Sequence, residues 1–174
     1  FHPFMYSNTC LLYNNGWQGI NIDINPTTID LFNIARPKDV NLCTTIDENK
    51  SEFKFFYDHP FSPVNTLDET FYKDFKKSYY QKFKRESFVG DVVKIVRSKT
   101  ADEILRISKP LAKIDFLNID IEGMDFKILK QLIPNKITPK LVSIETHNPD
   151  NIKLRDCDLI NDFLKSKNYS VFKR

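Results

Sequence analysis

The sequence predicts an α/β domain with a mainly parallel sheet. Three observations predict it. Strand-patterned and helix-patterned segments alternate along the chain. The strand runs are short, apolar and bounded by Gly, Pro, Asn or Asp, and helices open on capping signals. Finally, the expected strand ends carry acids, at Asp23, Asp47, Asp120 and Glu145, the edge at which such sheets bind ligands.

Taken in order, Ser7-Asn8-Thr9 can start a first helix. "GINIDINP" (19–26) sets Ile20, Ile22 and Ile24 at period two and reads as a strand. Asn25-Pro26 supplies an N-cap and a first-turn proline for "TTIDLFNIA", a helix ending near Arg36-Pro37. "DVNLCTTID" (39–47) is a second strand and "EFKFFYD" (52–58) a third extended piece. Thr66-Leu67-Asp68-Glu69 reads as a capping box opening a helix whose Phe71, Phe75, Tyr79 and Phe83 form one aromatic stripe. "DVVKIVRS" is a strand, and Thr100-Ala101-Asp102-Glu103 is a second capping box before a short helix. "KIDFLNIDIEG" (113–123) has the clustered apolar pattern of a buried parallel strand, with a helix around "FKILKQLI" after it. "KLVSIETHN" (140–148) is the next strand, "LRDCDLINDFLKSK" the last helix, and "YSVFKR" the start of a final strand. The whole of 1–174 reads as one domain, with 66–99 as a helix–strand insertion suited to covering an acceptor.

Composition narrows the class. With 41% hydrophobic and 28% charged residues the chain is of ordinary globular type, and no apolar run reaches the ~18 residues of a membrane helix. Cys10, Cys43 and Cys157 are scattered and unpaired in pattern, as buried, reduced thiols of a cytoplasmic protein. The net charge is +3, yet Lys73 to Arg85 alone sets six basic residues against Asp74. The charge outside that stretch is therefore slightly negative, which argues against a nucleic-acid partner. An apolar stripe with a solvated lysine face accounts for the stretch; a phosphate-bearing acceptor is the other reading. Tyr72/Lys76 and Tyr80/Lys84 match a dehydrogenase spacing, but on a helix this rich in Tyr and Lys the match is coincidental.

The phrases "SNTCLLYNNGWQGINIDINP", "VNTLDE", "DFLNIDIEGMDFKILKQL" and "LVSIETHNP", in this order over almost the whole chain, resemble the FkbM family of S-adenosylmethionine-dependent methyltransferases. The resemblance implies a seven-stranded, Rossmann-like, doubly wound sheet. It also implies an upstream strand with an Asp-x-Gly-Ala turn and a final hairpin strand, neither of which is in this chain. Ser7, Asn8 and Thr9 would then lie beside the cofactor. Asp23, with Ile24 and Asn25, stands where a carboxylate can accept hydrogen bonds from both ribose hydroxyls; a capping or loop role is the alternative. Asp47 would border adenine, or simply belong to the turn-rich "DENK".

Asp120 and Glu122 point the same way at a strand end, and Gly123 permits the sharp turn that follows. They can act as a base or orient the cofactor's amino-acid end, or Glu122 can cap the next helix. Glu145 and His147 repeat the spacing, and an imidazole there suits removal of a hydroxyl proton. A metal held by Asp120, Glu122 and His147 lacks a ligand-spacing signature, and none is expected. "HPFSPVNT" (59–66) echoes "HPFMYSNT" (2–9) without being a repeat, and can bring Asn65 and Thr66, with His147, to the acceptor.

The resulting expectation is a methyltransferase using S-adenosylmethionine on a hydroxyl of a sugar or secondary metabolite. The acceptor class comes from the resemblance. An NAD(P)-dependent oxidoreductase on a similar sheet and a non-catalytic binding module are the alternatives.

Overall fold

The computed structural model describes residues 2–49, 51–57, 60, 62, 65–83, 92–108, 113–121, 123–134, 136–147 and 152–172, with backbone alone at 83, 92 and 93. The chain divides into two compact units, Phe1–Ala112 and Lys113–Arg174.

In the first unit, Cys10–Asn14 forms a short helix (α1) that leads to the strand Ile20–Asp23 (β1). Asn25 then opens the helix Pro26–Ala35 (α2): its Oδ1 accepts from the Thr27 amide at 3.1 Å, and Pro26 lacks the N–H that would need a partner. This helix buries Thr28, Ile29 and Phe32 and leads to Val40–Cys43 (β2), parallel to β1 in register Ile20↔Val40 to Asp23↔Cys43.

The continuous strand expected over 39–47 divides at Thr44. Its amide donates to the Asp23 carbonyl, while its hydroxyl donates to the Arg97 carbonyl at 2.9 Å. There the chain leaves β1 for another neighbour. Thr45–Ile46 (β3) lies parallel to the C-terminal end of a long strand, Val92–Lys99 (β5), whose other edge holds Glu52–Tyr57 (β4). The β4–β5 pairing is antiparallel over Glu52↔Arg97 to Tyr57↔Val92, the one departure from parallel pairing among the described strands. Consecutive Phe55 and Phe56 are both buried, so each face of this ribbon is covered there.

One cover is the helix Glu69–Phe83 (α3), whose Tyr72 stacks on Phe56 at 5.1 Å. Tyr72 is off the anticipated stripe; Phe71, Phe75 and Tyr79 are half-buried, and the Phe83 side chain lies outside the described residues. The helix also starts two residues later than expected. Asp68 Oδ1 accepts from the amides of Thr70 and Phe71, whereas Thr66 Oγ1 accepts from Asp68 and its backbone pairs with Phe56. Asp68, whose carboxylate is free to turn into the helix, is thus the cap. Ahead of Ala101–Ile107 (α4) the capping box is present as expected, Thr100 and Glu103 satisfying each other's amides.

The second unit pairs Phe116–Ile119 (β6) with Leu141–Ile144 (β7) in parallel. Two helices, Asp125–Leu132 (α5) and Cys157–Ser166 (α6), bury Ile128, Leu129, Leu132, Cys157 and Ile160. Phe126 and Phe163 meet edge to face at 5.9 Å, joining α5 to α6. The expected strand over 113–123 is only four residues long, because Asp120 and Ile121 are already exposed loop. Residues 169–172 form no strand: Val171 and Phe172 are exposed, with no neighbouring strand among the described residues. Nor are all three thiols buried. Cys157 is, Cys10 is half-buried and Cys43 is exposed.

Candidate functional site

At the carboxyl end of β1, the Asp23 side chain is half-buried. Its Oδ1 accepts from the Asn25 amide at 2.7 Å, which fixes the turn into α2. Burial raises the Asp23 pKa above the ordinary carboxylate value, with the Asn25 and Ile24 amides opposing the rise. Across the parallel pair stands Cys43, surface-exposed yet with its thiol pushed up by partial desolvation and by the Asp23 charge. A carboxylate has about four lone-pair sites, so one held by backbone amides can still accept from hydroxyls.

Asn25 is occupied differently. Its amide oxygen caps α2 and its Nδ2 donates to the Pro60 carbonyl at 2.5 Å, so it joins α2 to the 60 region. Asp47, only 4% exposed, accepts from the Ser51 hydroxyl at 2.7 Å and closes the turn after β3. Thr66 is buried and spends its oxygen on the Asp68 amide; Asn65 is half-buried beside it.

The segment before α1 is held by a residue that no pattern in the sequence singles out. Arg36, at the C-cap of α2, is 1% exposed. It donates to the Pro3 carbonyl, to Ser7 Oγ at 2.9 Å and to Thr9 Oγ1 at 2.7 Å. Thr9 occupies the N-cap position of α1 but makes no capping bond, its oxygen being turned to Arg36. Asn8 is exposed. An Arg before a Pro at a helix end reads as solvated, so no local pattern could have found it.

In the second unit, Glu145 and His147 follow β7 and are half-buried, and Asp120 follows β6 and is exposed. Glu122 lies outside the described residues. Glu145 has its pKa raised, first by burial and then by the charges of Asp120 and Asp125. His147 Nδ1 lies 3.0 Å from the Thr146 hydroxyl, and its backbone bridges Lys153. Asp125 is the residue missed here. Its carboxylate accepts from the amides of Ile121 and Gly123, both at 3.2 Å, and so shapes the loop between β6 and α5. Burial raises its pKa as well. Gly123 has φ +103°, the left-handed conformation that the expected sharp turn requires. An Asp at the first position of a helix after such a Gly was the legible signal.

This arrangement places a half-buried carboxylate at a strand end in the first unit and, in the second, a carboxyl whose burial and acidic neighbours raise its affinity for a proton. The profile of the methyltransferase FkbM domain matches residues 2–171 of the 174. The chain belongs to the FkbM methyltransferase family. Searches of curated proteins and of solved structures give no significant match. In this FkbM methyltransferase no described helix is long and apolar enough to cross a membrane. Among the described residues, no group of three or more His, Cys, Asp or Glu side chains is arranged to hold a metal ion.

Proposed function

We propose that this FkbM methyltransferase uses S-adenosylmethionine and methylates a hydroxyl of a sugar or secondary-metabolite acceptor. The observation that carries the reading is the family match over residues 2–171. The residues present fit the cofactor: Asp23 is a half-buried carboxylate at a strand end, with acceptor capacity beyond its backbone amides, as a ribose diol needs. Asp23 with the Ile24–Asn25 turn would hold the nucleoside, Asp47 would border the base, and Ser7, Asn8 and Thr9 would face the amino-acid end.

When bound, S-adenosylmethionine supplies an electrophilic methyl group on a sulfonium centre. The protein's part is to position an acceptor oxygen and to take its proton. Proximity accounts for much of the acceleration, since a fixed acceptor avoids the entropy of a bimolecular encounter. Glu145 is the base in this reading: the Asp120 and Asp125 charges that raise its pKa also make its carboxylate a better proton acceptor. His147, two residues on in the same unit, would orient the acceptor. Three free cysteines fit a reducing, cytoplasmic setting.

The test is isothermal titration of the protein with S-adenosylhomocysteine, followed by transfer of a labelled methyl group to polysaccharide precursors. Binding that Asp23→Ala abolishes is the expected result. Binding without transfer to any acceptor would favour a binding module, and absence of binding would remove the cofactor reading.

A further inference from the structure

We infer that Arg36 is a positioning residue for the cofactor's amino-acid end, acting through the hydroxyls of Ser7 and Thr9. The inference rests on the proposal that residues 7–9 border the cofactor. Arg36 is a buried cation with no carboxylate partner among the described residues. Such a charge is costly to keep from water. What it has instead is the Pro3 carbonyl, two hydroxyl oxygens, and two aromatic rings: its guanidinium carbon lies 4.9 Å from the Phe32 centroid and 5.4 Å from that of Tyr13. Its Nε meets no acceptor among the described residues. A folding role alone would be met more cheaply by an apolar side chain filling the same space.

The bonding pattern shows what the charge accomplishes. Guanidinium has donors only, so Ser7 Oγ and Thr9 Oγ1 must accept from it, and their own protons turn away from Arg36. Both residues are half-buried, and neither hydroxyl has another partner among the described residues. Each hydroxyl is thereby left to donate away from Arg36, and the charge behind it strengthens the bond it can give. Two such donors suit a carboxylate.

The backbone agrees. Tyr6, immediately before Ser7, is held at φ +52°, a strained conformation for a non-glycine residue. On the other side of it, His2 Nδ1 accepts from the amides of Phe4 and Met5, both at 3.1 Å. The segment 2–9 is therefore fixed from two sides around a strained residue, and Arg36 is the fixing point that contacts both reporter hydroxyls.

The experiment compares S-adenosylhomocysteine with 5′-methylthioadenosine, which keeps the nucleoside thioether but lacks the amino-acid end. Arg36→Met should weaken the first about tenfold or more, leave the second within about twofold, and be partly rescued in Arg36→Lys. Ser7→Ala/Thr9→Val should reproduce this selective loss, and it decides the matter if Arg36→Met does not fold. Equal weakening of both ligands, or unchanged binding of both, overturns the inference. If the wild-type protein binds methylthioadenosine and S-adenosylhomocysteine equally well, the inference fails while the nucleoside reading stands. If it binds neither, both the cofactor reading and the inference built on it fall.

Discussion

Burial holds the Asp23 carboxyl above its ordinary pKa of 3.8, and the Asn25 amide offsets this only in part. A group raised in this way contributes stability below its unfolded pKa and loses it as pH rises through the folded value. At neutral pH the ionised carboxylate is therefore a burden on the fold that binding justifies. Asp23→Asn keeps an oxygen for the Asn25 amide and removes the charge. It should raise the thermal midpoint at pH 7 by about 1–3 °C while weakening nucleoside binding at least about tenfold. A variant that binds normally would count against the ribose role. Glu145, the base of the proposed reading, permits a different test. Glu145→Gln should lower kcat about 10²-fold or more with little change in KM. In the parent the acid limb of kcat should lie above the ordinary carboxyl range, since burial and the Asp120 and Asp125 charges raise this pKa. An unshifted limb, or one that survives in Glu145→Gln, would assign the base elsewhere.

At the scale of elements, α5 is anchored by Leu129, which is fully buried, with Ile128 and Leu132 beside it. Leu129→Ala leaves a cavity that its neighbours can only partly fill, and should cost about 2–5 kcal/mol in urea unfolding. A loss under about 1 kcal/mol would mean that α5 is not packed as described. The cap of α3 gives a sharper comparison. Asp68→Ala removes the acceptor for two helix amides and should cost about 1 kcal/mol, measured the same way. These cases show what the sequence made legible. The strand before Asn25-Pro26, the helix after it, the Thr100–Glu103 box and the turn at Gly123 were readable because each depends on chemistry within a few residues. The position of the α3 cap was not, since "TLDE" offers two residues able to cap and only the Phe56 pairing removes Thr66 from the contest. The division at Thr44 depends on Arg97, far along the chain, and periodicity carries no trace of it. Asp23 and Glu145 could be picked out by their place at strand ends. Arg36 could not, because its meaning lies in Pro3, Ser7 and Thr9.

Across the whole molecule, the perturbed acids lean one way. Asp23, Asp125 and Glu145 are raised by burial above ordinary values of 3.8, 3.8 and 4.5. The opposing cases, Asp115 beside Lys140 and Glu69 beside Lys73, are exposed pairs whose effect solvent screens. For the raised group the sign is the same three times: protonated carboxyls are less costly to bury than ionised ones, so each ionisation above about pH 4 is less favourable in the folded state than in the unfolded one. Cys43 and Tyr169, raised by burial above 9.0 and 10.0, repeat this in the alkaline range. Stability should consequently fall as pH rises from about 4, and fall again above about pH 9. The urea midpoint measured across that range gives the profile, and Asp23→Asn/Glu145→Gln should flatten its first step without altering the second. A midpoint that instead rises with pH from about 4 would mean that burial of these carboxyls is outweighed by attraction to the molecule's net positive charge. Binding adds a condition. S-adenosylhomocysteine at saturation stabilises whichever state holds it, and in the proposed reading it is the ionised Asp23 that accepts both ribose hydroxyls. The ligand-induced rise in midpoint should therefore grow as pH rises from about 4, opposite in sense to the stability of the free protein, and Asp23→Asn should abolish that opposition.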